Sequence, residues 1–225
     1  MSRRPRAASD GADRPPRVGA RWHAGGVDLF TGDIEREGDY EGLELDDRDL
    51  TGHDAREARF VDCAFHHCVL DGVRMARAHL VDVSFVGVRA DTLHLADAEW
   101  RDVALTDCRL GAVRAFGGDL VRVTVTGGKI DYLNLRDATV RELRIVGATI
   151  DDLDLAGTTA RDVVVEASRV RRLDVARARL THVDLRGADL ARVDGLDGLA
   201  GATISEEQLA ALAPLLAAHL GVVVR

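Results

Sequence analysis

The sequence predicts an all-β chain: a four-sided solenoid of twenty-residue coils, closed by a C-terminal α-helix. Three observations predict it. Every fifth residue from Leu45 to Leu190 is apolar, with no slip of register. The residue two places before each of these is mostly apolar or small, as at Leu43, Ala58, Cys63 and Val73. From Val73 onward that second column alternates large and small, with only Val88 bulky among the small set.

A period of five is neither helical nor a plain strand repeat. The two inward positions of each repeat, with a polar residue between them, read in-out-in, which is a minimal strand. The remaining two residues are often Asp, Gly, Arg or Thr and suit a corner. The size alternation then sets the number of sides. Four repeats per coil stack large on large (Val103, Val123, Leu143) and small on small (Ala98, Gly118, Ala138). Three would mix the sizes in every column, and close-packed interiors demand size matching. Coils stacked at sheet spacing give roughly seven and a half turns and a rod on the order of 36 Å long.

Repeats such as Ala78-His79-Leu80 and Ala188-Asp189-Leu190 resemble the pentapeptide repeat family over about two-thirds of the chain. The resemblance implies a right-handed quadrilateral β-helix. It carries no single function, because members of the family differ in role.

At 225 residues the chain suits one domain with an ample core. Four segments are expected: a basic tail over 1–21, an N-terminal cap over 22–42, the β-helix over 43–195, and a C-terminal capping or dimerisation helix over 196–225. The tail has six arginines against Asp10 and Asp13, and no aromatic residue to stack on bases. Trp22, Val27, Leu29, Phe30 and Ile34 make the next segment too apolar for a linker. It is expected to cover the first strand edges, entering the coil near Tyr40. Arg48 and His53 occupy inward positions and are expected to escape to solvent at this incomplete end. No signal-peptide core or membrane-length apolar run appears, so a cytoplasmic protein without membrane contact is expected.

No catalytic residue, cofactor site or metal site is predicted. Cys63, His66, His67 and Cys68 look like zinc ligands, but the register turns the cysteines inward and the histidines outward, so the four cannot surround one ion. All three cysteines, Cys63, Cys68 and Cys108, fall on inward positions and read as small apolar groups. No nucleophile elbow or phosphate-binding glycine loop occurs. Trp100 is the largest inward centre, and Gly118 in the next coil is expected to make room for its indole. The pairs Gly117-Gly118 and Gly127-Gly128 mark a possible bend of the rod. Phe116 and Tyr132 fall on outward positions and are the aromatic anchors expected for a partner.

After Val193 the register fades. Ser205-Glu206-Glu207-Gln208 is a capping box, and Leu209, Leu212, Leu216 and Leu220 form a stripe at helical spacing. Pro214 is expected to kink or split this helix, Gly221 to stop it, and Val222–Val224 to add a closing strand. The leucines are expected to cap the solenoid or to pair two copies, since some pentapeptide repeat proteins pair through C-terminal helices.

Charge sits unevenly on the rod. Residues 43–107 hold 14 acids against 7 bases, a net −7; residues 108–195 hold 13 against 15, a net +2. Stacking by twenty aligns Asp62, Asp82, Asp102, Arg122, Glu142 and Asp162 in one outward column. A second runs Asp71, Asp91, Gly111, Asp131, Asp151 and Arg171. These residues support two readings. In the first, the rod is a non-catalytic scaffold for an unidentified protein, and Asp serves its corners by accepting turn N–H groups. The second comes from the family resemblance: some members are acidic rods that imitate duplex DNA, bind DNA gyrase, and inhibit it or protect it from quinolones. Arg101, Arg141 and Arg161 beside the first column, and the far denser charge of B-DNA, favour the first. Direct nucleic-acid binding is not expected.

Overall fold

The computed structural model describes residues 32–223 and the strand pair Val18–Gly19. Phe60, Phe65, Leu70 and Met75 mark the four sides of one coil, and each is fully buried. From Asp39 to Asp194 each coil pairs in parallel with the next at an offset of twenty residues, as in Phe60↔Leu80, Leu80↔Trp100 and Ile130↔Ile150. The result is a parallel β-solenoid of about eight turns with one C-terminal helix.

The repeats do not each form a separate strand. On sides one and two they merge into eight-residue strands, such as Arg59–His66, Glu99–Thr106 and Thr139–Val146. On sides three and four they merge into strands of six or seven, such as Arg89–His94, Lys129–Asn134 and Ser168–Asp174. An eleven-stranded and a six-stranded sheet therefore wrap the rod. The corner between sides one and two passes through a left-handed residue in every coil: Asp62, Asp82, Asp102, Arg122, Glu142, Asp162 and His182, with φ between 53° and 60°. The diagonally opposite corner, at Thr92, Ala112, Tyr132, Asp152 and Arg172, stays extended within the second sheet. After side four the chain makes hydrogen-bonded turns. Met75, Leu135 and Leu155 carbonyls accept from Ala78, Ala138 and Thr158 N–H groups at 3.0–3.1 Å. Arg77, Asp137 and Gly157 supply the positive φ that a type II turn needs at its third position.

The inner columns form one continuous core. Its N-terminal end is an aromatic stack, with Tyr40 on Phe60 at 4.9 Å and Phe65 on Phe85 at 5.0 Å. Polar atoms at the small positions return hydrogen bonds to carbonyls 23 residues back: Cys68 Sγ to Leu45, Cys108 Sγ to Phe85, and Thr158 Oγ1 to Leu135 at 2.6 Å. Trp100 is 2% exposed beside an apolar-lined void of about 10 Å³. Gly118 does not make room for the indole. A Cβ there meets the Ala98 and Ala115 carbonyls at 2.9 and 3.2 Å, so its missing side chain serves close backbone approach. Gly127 and Gly128 are consecutive left-handed residues, and the ladder runs past them without slipping.

At the N-terminal end Ile34 is buried in the core. Trp22, Val27, Leu29, Phe30 and the basic tail lie outside the described residues, apart from Val18–Gly19, which pairs with Tyr40–Glu41. Arg48 and His53 do not escape to solvent. Both are half-buried: Arg48 Nη2 reaches the Gly32 carbonyl at 3.4 Å, and His53 Nδ1 donates to the Leu50 carbonyl at 2.8 Å. The 32–33 segment gives them partners that an open end would lack.

Helix α1 spans Glu206–His219 and begins with the expected capping box. Pro214 neither splits nor ends it; the carbonyl this proline leaves without a donor belongs to Ala210, an exposed residue. The helix stops at Gly221 (φ 71°) in a Schellman motif, with Val222 N–H on the Ala217 carbonyl at 2.8 Å and Gly221 N–H on Ala218 at 3.1 Å. Val222 and Val223 form no strand. Among the described residues, no helix is long and apolar enough to cross a membrane.

Candidate interaction surfaces

The predicted acidic column exists as a ladder and lies along the left-handed corner. Asp tolerates positive φ better than most residues, so its frequency there has a backbone cause. The column is also partly neutralised. Arg122 grips Asp102 with two bonds of 2.5 and 2.6 Å and holds its carboxyl below the usual range. Asp162 receives Arg161 Nε at 3.1 Å and His182 Nδ1 at 3.0 Å. A shallow surface groove joins Asp102, Arg122, Glu142 and Asp162. Asp62 and Asp82 make no ion pair among the described residues. In the second column, Lys129 bridges Asp131 and Asp151 at 2.5 and 3.3 Å.

Phe116 and Tyr132 are not beside the acidic column. Phe116 lies on side four and Tyr132 at the extended corner, diagonally across the coil. Phe116 is 42% exposed. The half-buried Tyr132 hydroxyl donates to Asp154 Oδ2 at 3.1 Å. Asp154 is the centre of a bridge that the sequence did not reveal. It holds an outward position, yet its side chain is only 3% exposed, and it also accepts from Arg136 Nη2 at 2.8 Å. Beside it Arg172 spans three coils, reaching Asp152, Asp174 and Asp194 at 2.8, 3.1 and 2.6 Å. Burial raises the Tyr132 hydroxyl, and the Asp154 charge adds to the rise. These partners stand 2, 18, 20 and 22 residues apart, spacings visible in the sequence, but their mutual cover was not.

The four C-terminal leucines divide. Leu212 is 5% exposed and Leu216 packs partly against the core, whereas Leu209 and Leu220 are 51% and 75% exposed. The docking stripe is Gln208, Leu212 and Leu216. Gln208 uses its whole amide: Oε1 accepts from Ser205 N–H at 2.8 Å, and Nε2 donates to the Leu185 and Ala188 carbonyls at 2.7 Å each. A polar residue therefore takes the buried place and rotates Leu209 and Leu220 outward. Leu215, Val222 and Val223 are exposed on the same terminal segment.

Cys63 and Cys68 are buried free thiols, raised by burial, while His66 and His67 are outward. His67 instead meets the previous coil, where its ring nitrogen and carboxylate oxygens of Asp46 and Asp47 lie within 4.8 Å of one another, all exposed.

The fold defines a class: a filled, four-sided parallel solenoid whose outward side chains stand in columns. A family model for the pentapeptide repeat region matches residues 58–135, and the register continues on both sides of that match. Over that stretch the chain is similar to the pentapeptide repeat proteins. No curated protein matches it. Among solved structures, it is similar to full-length QnrB1, a plasmid-mediated fluoroquinolone resistance protein, at 18% identity and TM-score 0.33, covering 84% of this chain and 96% of that one. It is also similar to HetL, a pentapeptide repeat protein involved in heterocyst differentiation regulation from the cyanobacterium Nostoc sp. strain PCC 7120. That match has 20% identity and TM-score 0.25, covering 75% of this chain and 90% of that one.

Proposed function

We propose that this chain is a non-catalytic protein-interaction module acting in the cytoplasm. The observation that carries this reading is the register itself. Outward side chains recur every twenty residues on a filled core, so they stand in fixed columns about 4.8 Å apart. Such columns are pre-organised for an extended partner, which lowers the ordering cost of binding. The acidic corner (Asp62, Asp82, Asp102, Glu142, Asp162) and the opposite aromatic side (Phe116, Tyr132) are the two surfaces on offer. The exposed Leu209, Leu215, Leu220 and Val223 suit a second copy, giving a homodimer through the C-terminal segment. Light scattering tests that part: Leu220→Asp is expected to yield a monomer, and a wild-type monomer at high concentration overturns the dimer.

A second reading, imitation of DNA at the gyrase saddle, is favoured by the unpaired Asp62 and Asp82 standing in line. Against it stands charge density. A duplex presents a charge about every 1.7 Å, and Arg122 and Arg161 thin this column well below that. A supercoiling assay with and without a fluoroquinolone separates the two. Inhibition or drug protection lost in Asp62→Arg/Asp82→Arg establishes imitation. No effect on the enzyme leaves the module reading in place, and affinity capture of a protein partner that binds the purified chain then tests it.

A further inference from the structure

Five histidines face carboxylates among the described residues, and one of them differs. His53, His79, His182 and His219 each meet a single carboxylate, at 2.8–3.4 Å. His67 meets two. Its Nδ1 stands 3.6 Å from Asp46 Oδ1, and ligand atoms of Asp46, Asp47 and His67 all lie within 4.8 Å of one another. The first distance is too long for a hydrogen bond. It is close to the separation of two ligands on one ion, because bonds of about 2.0–2.1 Å at tetrahedral angles set ligand atoms about 3.3 Å apart. The fold builds this meeting. Asp46 pairs in register with His66, and the Asp47 N–H donates to the His66 carbonyl at 2.9 Å. Asp47 and His67 therefore hold the same left-handed corner of successive coils, at φ 50° and 55°. In the third coil that corner is Gly87. A Cβ there would meet the His67 ring at 2.6 Å, so the glycine leaves the seat in which the imidazole lies. Over residues 41–49, Glu41, Glu44, Asp46, Asp47 and Asp49 stand against Arg48, whose Nη2 reaches the Gly32 carbonyl.

We infer that Asp46, Asp47 and His67 bind one zinc-type dication, which ties the first coil to the second. The inference stands apart from the module reading and uses none of its surfaces. Two carboxylates balance the charge of a dication. The imidazole selects zinc and its transition-metal neighbours over magnesium and calcium, which take oxygen ligands. Three protein ligands leave a fourth position for water, as an exposed site allows. Cys63 and Cys68 take no part, because both are buried. The tie falls where the rod is held least. On sides one and two the first coil has strands of three residues, Asp39–Glu41 and Glu44–Asp46, where a later coil has eight, His79–Val86. On sides three and four it meets the second coil through isolated bridges at Asp49 and Asp54. Ligands drawn from both coils make metal binding and coil pairing one event.

The test uses the full, untagged chain and isothermal titration with zinc chloride in chelator-free buffer. A saturable site is expected. Asp47→Asn and His67→Asn each keep a residue that tolerates positive φ, so both are expected to melt with the wild type in the absence of metal. Each is expected to weaken the site at least about tenfold. His79→Asn, which removes a histidine that faces one carboxylate, is expected to leave it unchanged. Hydrogen exchange reads the tie: the Asp47 amide is expected to slow when zinc is added to the wild type, and to stay unchanged when it is added to His67→Asn. A chain with no saturable site, or one that binds zinc alike in wild type and His67→Asn, overturns the inference. Magnesium that binds as tightly as zinc does so too, and assigns the patch to diffuse attraction of cations. Unchanged exchange of the Asp47 amide in the zinc-saturated wild type removes the tie between the coils and the inference with it.

Discussion

At the corner of Asp82 to Asp162 the backbone turns through a left-handed residue; at the corner diagonally opposite, from Thr92 to Arg172, it runs on as strand. The repeat is the same, but the freedom of its residues is not. The left-handed corner favours residues that tolerate positive φ, so the aspartates at 62, 82, 102 and 162 are in part a backbone requirement. The extended corner makes no such demand and carries Thr, Ala, Tyr, Asp and Arg in succession. An acidic stripe at the first corner is therefore weaker testimony about partners than an exposed phenylalanine near the second.

Four substitution experiments break or sharpen this contrast. The largest effect is expected beside the extended corner. Asp154→Ala strands the buried Ala156 N–H and the half-buried Tyr132 hydroxyl and is expected to cost about 2 kcal/mol in chemical denaturation. Asp162→Ala on the left-handed corner, where the carboxylate is 45% exposed, is expected to stay within about 0.5 kcal/mol. Equal losses at the two sites would erase the distinction. Next comes backbone strain: Asp102→Val places a β-branched residue at φ 56° and is expected to cost about 1–2 kcal/mol, while Thr92→Val is expected to be near neutral.

A smaller effect is expected in acid. Arg122 keeps the Asp102 carboxyl below the ordinary carboxylate value near 4, so the stability this pair adds is present above that pH and lost as pH falls below it. Asp184, held at about 2 by the Arg186 side chain and N–H, behaves the same way between about 4 and 2. Arg122→Gln is expected to shallow the acid limb of a melting-temperature profile, and an unchanged limb would remove Asp102 from the account. The smallest effect is Asp82→Gly, where relief of positive φ and added unfolded-state freedom nearly cancel, within about 0.5 kcal/mol.

The inward columns were legible because each inward position must be apolar and matched in size to its neighbour one coil away. That determined the four-sided coil, the buried cysteines and the entry into the first coil near Tyr40. Corners carry no such constraint, so the merging of repeats into eight-residue strands and the extended path through Tyr132 left little trace. Asp154 sits where the register says outward, and only the reach of Arg136 and Tyr132 hides it. Helix α1 misled for a related reason: four leucines at helical spacing looked like the docking stripe, but Gln208 satisfies two carbonyls that no leucine can.

Those two carbonyls have a consequence for assembly. The last coil of any such rod offers a strand edge that resembles the edge its first coil offers at the other end. Left open, the edges suit head-to-tail addition of one rod to another, a heterologous contact that does not close and therefore grows into a filament. By occupying the Leu185 and Ala188 carbonyls, Gln208 acts as a chain terminator in the polymer sense. The helix it anchors covers that part of the last coil, while the outer edge of Ala188–Asp194 has no strand partner among the described residues.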